Sequence, residues 1–433
     1  MNNRPLKVAL LGLGNVGAAL ASELQRRGDA IADRAGGRLE LVGAAVRDPA
    51  RARPGVPESL GKSADPMALA LREDVDIVVE LMGGTGLAGE VVRAALAAGK
   101  AVVTANKALV ASDADRLFAL AKAHDAPLGF EAAVAGAIPA LRALEVSLAG
   151  DRIRRVAGIV NGTCNYILTR MEVAGLDFDA ALGEAQRLGF AEADPSSDVD
   201  GEDAAYKLTI LARLALGAAA APEAVSREGI RGVRAEDLRR AAEVDLVVRL
   251  LAIAERGDDG AIDLRVHPTL VPKEHPLAAV RGAMNAVWVE AEAAGPLMFY
   301  GAGAGGLPTA SAVLGDLVAV AQRVRGGAGA VPRAGSEAAK LVDPGARQAS
   351  VHVACLVADE PGVLAAIAGA FARHGVSVES CVQHGRHADP VELVFVTHRC
   401  REAALDAALA EVGALPAVRE VASRLRVQPD AEG

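Results

Sequence analysis

The 433-residue chain is 52% hydrophobic and 23% charged, with 46 glycines and only 3% aromatic residues. This composition suits a globular protein and excludes a disordered one; at roughly 150 residues per domain it accommodates two or three domains. A formal net charge of -9 argues against a nucleic-acid binder or a polybasic membrane protein. The four cysteines, Cys164, Cys355, Cys381 and Cys400, lie far apart without a CxxC pair, so neither a disulfide framework nor a zinc site is expected, and a reducing cytoplasm fits.

The start, MNNRPLKVALLGLG, sets a basic residue before an apolar run, but that run contains the glycines of a turn and reads as a first strand rather than a signal peptide. Short apolar runs then alternate with amphipathic segments: LKVALL, VGAALASELQRR, ELVGAAV, DIVVELMGG, VVRAALAAG, AVVTA and ADRLFALAKAH. That rhythm predicts βαβ units around a parallel sheet. From about 136 to 300 the pattern predicts longer helices over 179–188, 200–217 and 235–256, interleaved with strand-like RIRRVAGIV and AVWVEAEA, hence an α+β domain. LTILARLALGAAAA, over 208–221, is broken by Arg213 and falls short of the roughly 20 apolar residues that a bilayer requires. A Gly-, Ala- and Pro-rich stretch over 327–349 reads as a linker. The tail then runs strand, helix, strand, strand, helix, strand, the order of a small ferredoxin-like module.

Within the first βα turn, GLGNVG places Gly12, Gly14 and Gly17 between a strand and a helix. The first glycine permits the tight turn, the second lets backbone approach a pyrophosphate, and the third allows close helix packing, while the helix start supplies amide donors. A dinucleotide site is expected; the alternative is a glycine-rich turn that binds nothing. Arg47 follows the second apolar run, with Arg51 and Arg53 behind it, which points to the 2′-phosphate of NADP, although Asp48 leaves NAD open.

A nicotinamide enzyme acting on a carbonyl needs a positioned acid for the developing alkoxide. Lys107, in VVTANKALV, lies at the end of a sheet strand, where ligands of open α/β sheets gather. Lys207 follows Asp203 by four residues, a spacing that pairs them on one helix face. The plainer readings are a solvated lysine at a helix start and an ordinary surface ion pair. Ahead of that pair, GFAEADPSSDVDGED crowds Glu192, Asp194, Asp198, Asp200, Glu202 and Asp203. Such a loop offers carboxylate partners to a substrate ammonium, with some of the acids spent on capping the next helix.

These segments resemble one family, homoserine dehydrogenase, along almost the whole chain. The match runs through GLGNVG, VVTANKALVA, FEAAVAGAIPAL, GIVNGTCNYILTRM, GFAEADPSSDVDGEDAAYKL, HPTLVPKEHPLAAVRGAMNAV and YGAGAGGLPTASAVLGDL. The resemblance implies NAD(P)H-dependent reduction of L-aspartate 4-semialdehyde to L-homoserine, within threonine, methionine and isoleucine biosynthesis. It implies a Rossmann-type domain over 1–135, rejoined by about 300–326, and a catalytic and dimerisation domain over 136–299. It assigns Lys207, Asp203 and Lys107 to catalysis, and Glu192, Asp198 and Lys107 to substrate. Cofactor contacts are expected from Gly12, Gly14, Asn15, Val16, Gly17, Arg47, Thr104, Lys107 and Gly303. A sodium-like monovalent cation is implied at Glu131 and the backbone oxygens of Val134, Gly136 and Ile138, hard ligands suited to an alkali ion. The tail over 350–428 looks like an ACT domain, carried by DEPGVLAAIAGAFARHGVSVES with Gly362 where a ligand can approach backbone; it implies feedback by threonine, or a purely oligomerising module. A homodimer or homotetramer is expected, with neither nucleic acid nor membrane as partner. His267 and His275 are read as strand and turn residues rather than a metal pair, His374, His384 and His387 carry no ligand spacing, and Cys164 is read as loop packing. Two other readings stay open: a sensor that binds nicotinamide and amino acid without catalysis, and a dehydrogenase of a different amino-acid aldehyde.

Overall fold

The computed structural model describes residues 4–428 apart from 52, 54, 58, 327–337 and 386–389. The first part of the expected linker and His387 lie outside the described residues. By its contacts the chain forms two compact units, each assembled from three stretches: Met1–Gly162, Glu202–Val225 and Ala283–Ala339 in the first, and Thr163–Gly201, Ser226–Gly282 and Lys340–Gly433 in the second.

The first unit holds a six-stranded parallel sheet of β1 (Leu6–Leu11), β2 (Leu39–Ala45), β3 (Lys62–Ser63), β4 (Ile77–Glu80), β5 (Ala101–Thr104) and β6 (Leu128–Gly129), ordered β3-β2-β1-β4-β5-β6. Its central strands are continuous apolar runs because helices cover both faces, so alternation would waste burial. β4 and β5 are buried at every position. Helix Gly306–Gly326, far along the chain, returns Val313, Leu317, Val320 and Ala321 to the core built by Leu10, Leu20, Val79 and Val103. The strand order reverses direction beside β1, which puts the β1 and β4 ends at the switch point where open α/β sheets bind ligands. The same unit carries an antiparallel set, with Met284–Ala291 between Ile153–Ile159 and Gly295–Ala302.

In the second unit, Leu246–Arg256 and Ile262–Pro272 form a long antiparallel pair. The expected helix over 235–256 is therefore corrected: helix Ala235–Glu243 ends near Asp245, whose φ of 57 lies in the left-handed region, and 246–256 is a strand. The run LVVRLLAIA is buried on both faces. Without alternation, periodicity cannot separate a buried strand from a buried helix, and cross-strand pairing decides. The tail has the expected βαββαβ order, its antiparallel strands lying as Val418–Val427, Gln348–Val357, Val391–Thr397, Val378–His384. Helices Val363–Arg373 and Glu402–Gly413 close a core in which the Phe371 and Phe395 rings meet edge-on at 5.4 Å. The last strand also runs parallel to Ile262–Pro272 at Thr269 and Leu270. Among the described residues no helix is long and apolar enough to cross a membrane.

Candidate active site

The glycine-rich turn has the geometry that its residue types require. Gly12 sits at φ 107, and a Cβ there would lie 2.6 Å from the Leu81 carbonyl oxygen. A Cβ on Gly17 would lie 2.1 Å from the Gly12 oxygen, whereas one on Gly14 would meet nothing within 4 Å. Two glycines thus serve packing and the middle one leaves open space at the start of helix Asn15–Arg26, which has no side-chain cap. Uncapped amides of Asn15, Val16 and Gly17 at a positive dipole end suit a phosphate. Arg47, just past β2, is exposed, and no hydrogen bond or ion pair engages its guanidinium among the described residues, while Asp48 Oδ1 is spent on the Ala50 amide at 3.0 Å.

Thr104 ends β5 fully buried: its hydroxyl donates to Glu80 Oε2 at 2.6 Å and accepts from the Asn106 amide at 3.0 Å. Its side chain is therefore spent on the scaffold, and only its main chain is left for a cofactor. The sequence reading missed Glu80, whose other oxygen accepts the Met82 and Gly83 amides at 2.7 and 3.0 Å. This carboxylate shapes the loop after β4; its signal was an acid ending an otherwise apolar strand. Gly303 is wedged by packing, since a Cβ would lie 2.1 Å from Asn285, and the neighbour that faces the nucleotide turn is Gly306, where a Cβ would lie 3.1 Å from the Asn15 backbone oxygen.

Lys107 begins helix Lys107–Ala123, which Asn106 caps through the Leu109 amide. Lys207 and Asp203 lie on helix Glu202–Leu216. Asp203 bridges both lysines: Lys107 Nζ is 2.9 Å from Oδ1 and Lys207 Nζ is 2.6 Å from Oδ2. Asn161 Nδ2 also donates to Oδ2, at 2.9 Å, a partner that sequence spacing did not single out. Burial alone would push the Asp203 carboxyl up; the two ammonium groups outweigh it and hold the pKa at about 2. Lys207 is nearly buried, at 12% side-chain exposure, and also donates to the Val160 carbonyl at 2.8 Å. With two of three N–H bonds engaged, the third remains for an incoming oxygen.

The carboxylate-rich loop lies in the second unit. Thr163 Oγ1 donates to the Phe190 carbonyl at 2.7 Å and Cys164 Sγ to the Asp198 carbonyl at 3.2 Å, so the buried Cys164 is a loop pin, in line with its reading as packing. Between the pins, Glu192 is exposed and its carboxylate has no partner among the described residues, as an ammonium ligand requires. Asp194 caps Ser196 locally at 3.1 Å, and Asp200 pairs with Arg231 at 2.6 Å.

At the expected cation position, Ala135 and Gly136 both have φ 54, turning Val134, Gly136 and Ile138 through one tight loop. The buried Glu131 carboxylate accepts the Leu141 and Arg142 amides at 2.9 and 2.8 Å and has no ion-pair partner among the described residues. Ile138 O already accepts the Ala140 amide at 2.8 Å. A carboxylate and backbone carbonyl oxygens are the donor types that suit a hard, low-charge cation. Burial, with repulsion from Asp316, raises Glu131 to about 7; burial, with repulsion from Glu131, raises Glu145 to about 7. Carboxyls with raised pKa stabilise the fold below the unfolded value, near 4.5, and lose that contribution as pH rises through 7. Removing the Glu145 charge by Glu145→Gln is therefore expected to raise stability at pH 8 by about 1–3 kcal/mol and hardly at all at pH 5; equal unfolding midpoints at pH 8 would refute this. His267 lies in a strand and His275 starts a turn, as expected, and no cluster of three His, Cys, Asp or Glu that could hold a metal occurs among the described residues.

Comparison with known proteins agrees along the chain. Family models match as the NAD-binding domain of homoserine dehydrogenase over 12–131, homoserine dehydrogenase over 139–318, and the ACT domain over 351–417. The homoserine dehydrogenase of Corynebacterium glutamicum is 47% identical over 433 residues, covering 98% of this chain and 96% of its own. That of Mycobacterium tuberculosis is 47% identical over 438 residues, covering 99% and 98%. The crystal structure of a homoserine dehydrogenase from Thiobacillus denitrificans superposes with a TM-score of 0.91 at 42% identity, over 98% of both chains. A hyperthermophilic archaeal homoserine dehydrogenase in complex with NADPH gives 0.63 at 29% identity, over 73% of this chain and 98% of that one. With a nucleotide-binding domain, a catalytic domain and a C-terminal ACT domain in that order, the chain belongs to the homoserine dehydrogenase family of oxidoreductases.

Proposed function

We propose that the protein reduces L-aspartate 4-semialdehyde to L-homoserine with NADPH, and that Lys207 carries the proton. The bridge of Asp203 between two lysines is the observation that carries this reading, since it holds both side chains in place at the end of the parallel sheet. When bound on the glycine-rich turn, the nicotinamide cofactor supplies a hydride for the aldehyde carbon. The third N–H of Lys207 donates to the aldehyde oxygen, which becomes the hydroxyl of the product. Lys107, more exposed at 40%, holds substrate and cofactor side by side. Glu192 takes the substrate ammonium, with Asp198 in the same loop, so binding and orientation do most of the work.

The same reading places the cofactor contacts at Gly12, Gly14, Asn15, Val16, Gly17, Arg47, the Thr104 backbone, Lys107 and Gly303. It places a monovalent cation at Glu131, Val134, Gly136 and Ile138. It takes 1–135 with 300–326, 136–299 and 350–428 as functional domains, the last answering to threonine, in a cytoplasmic homodimer or homotetramer. The free guanidinium of Arg47 supports NADP: a charge-assisted bond to the 2′-phosphate is worth about 1.5–3 kcal/mol, so Arg47→Ala should cut the preference for NADPH over NADH by about 10- to 150-fold. An unaltered ratio would remove Arg47 from cofactor choice.

The deciding experiment follows nicotinamide absorbance with aspartate semialdehyde, using NADPH and NADH in parallel, with and without threonine. Rapid oxidation upholds the proposal, and cofactor binding without oxidation would turn the reading to a sensor or to another aldehyde.

A further inference from the structure

The substrate loop is pinned on one side by Thr163 and Cys164. Its far end is held by a different segment, 228–240, which neither the motifs nor the proposed chemistry uses. The Ile230 amide donates to the Val199 carbonyl at 2.8 Å, and both residues are fully buried. Gly229 passes so close that a Cβ would lie 2.1 Å from the Val199 oxygen and 2.6 Å from Asp200 Cα. The Glu228 amide fixes the start of the segment to the Val266 carbonyl at 2.8 Å. Arg231 reaches Asp200 at 2.6 Å and Ser196 at 3.1 Å, but this pair is about half exposed and holds little.

The other end of the segment is locked into the ACT domain. Asp237 Oδ2 accepts the Arg234 amide at 2.9 Å, closing the first turn of helix Ala235–Glu243. Its Oδ1 pairs with Arg240 at 2.8 Å, and Arg240 reaches Glu392 of strand Val391–Thr397 at 2.6 Å. All three side chains are nearly buried, at 6%, 5% and 11% exposure for Arg240, Asp237 and Glu392. In such a site a lost partner leaves an uncompensated buried charge, so the triad has one favourable arrangement. Substrate loop, segment and ACT sheet all fall within one compact unit.

The geometry points to residues 228–240 as a positioning strut that fixes the Val199–Asp200 end of the substrate loop against the ACT sheet through Arg240. The inference rests on the proposed role of that loop in holding substrate. A change in the ACT sheet that moves Glu392 then reaches the loop through one packed segment, and it alters substrate affinity rather than the proton-transfer group.

The test uses the full chain with Arg240→Met, Arg240→Lys and Gly229→Ala, assayed with homoserine and NADP, together with amide hydrogen exchange over 190–201. Arg240→Met and Gly229→Ala should each raise KM for homoserine about fivefold or more, leave kcat and NADPH affinity unchanged, and speed exchange in the loop. Arg240→Lys should recover part of the loss. Wild-type KM and wild-type loop exchange in Gly229→Ala, or in an Arg240→Met that still binds NADPH, would overturn the strut. If Arg240→Met does not fold, Gly229→Ala decides alone, because it touches no buried charge. A wild-type protein that fails to oxidise homoserine would defeat the function proposed above, whereas the exchange measurement would still judge the strut.

Discussion

Replacing Lys207 with methionine is expected to lower turnover by about 10²- to 10⁴-fold, the usual worth of a positioned proton donor, while NADPH still binds. The reason is geometric: Lys207 is held by Asp203 and by the Val160 carbonyl, so its remaining N–H has a fixed direction. Lys107→Met should act differently. Its ammonium group meets Asp203 at 2.9 Å but is far more exposed than that of Lys207, so its loss should raise KM more than it lowers kcat. Steady-state kinetics with homoserine and aspartate semialdehyde, beside NADPH titration, separates the two. Near-normal kcat in Lys207→Met would end its assignment as donor.

Asp203→Ala should be the most damaging single change for both activity and stability. It leaves the nearly buried Lys207 without its counter-charge and strips the Asn161 amide of its acceptor. Breaking a buried pair from one side costs about 3–5 kcal/mol, and the unfolding midpoint should fall accordingly. The pH dependence has a definite sign. A carboxyl held at about 2, against 3.8 ordinarily, contributes stability that is complete above 3.8 and lost as pH falls through 2. Wild type should therefore lose stability over that window more steeply than Asp203→Ala. Parallel acid-unfolding curves would show that Asp203 is not held by the lysines.

Much of this was legible from residue patterns. The parallel sheet showed in its unbroken apolar runs, the nucleotide turn in Gly12, Gly14 and Gly17, and the ferredoxin-like tail in its element order. Lys207 and Asp203 were paired by helical spacing alone. What spacing could not show were contacts between distant segments: Lys107 and Asn161 reach Asp203 across the fold, and Glu80 organises its loop from inside the sheet. The strand Leu246–Arg256 was hidden for the opposite reason, since burial on both faces erased the period that would have identified it. Thr104 was expected at the cofactor, and which groups its hydroxyl satisfies depends on β4, a partner that no local motif names.

The alternation of chain segments between the two compact units bears on how the protein is made. The first unit draws its last segment from Ala283–Ala339 and the second its last from Lys340–Gly433, so neither is complete when its early residues leave the ribosome. At synthesis rates of about 5–20 residues per second, the parallel sheet waits for helix Gly306–Gly326 to cover it, with apolar surface exposed meanwhile. Shortened versions ending before that helix should be poorly soluble, and a cut after residue 339 removes the last of the three segments of the second unit.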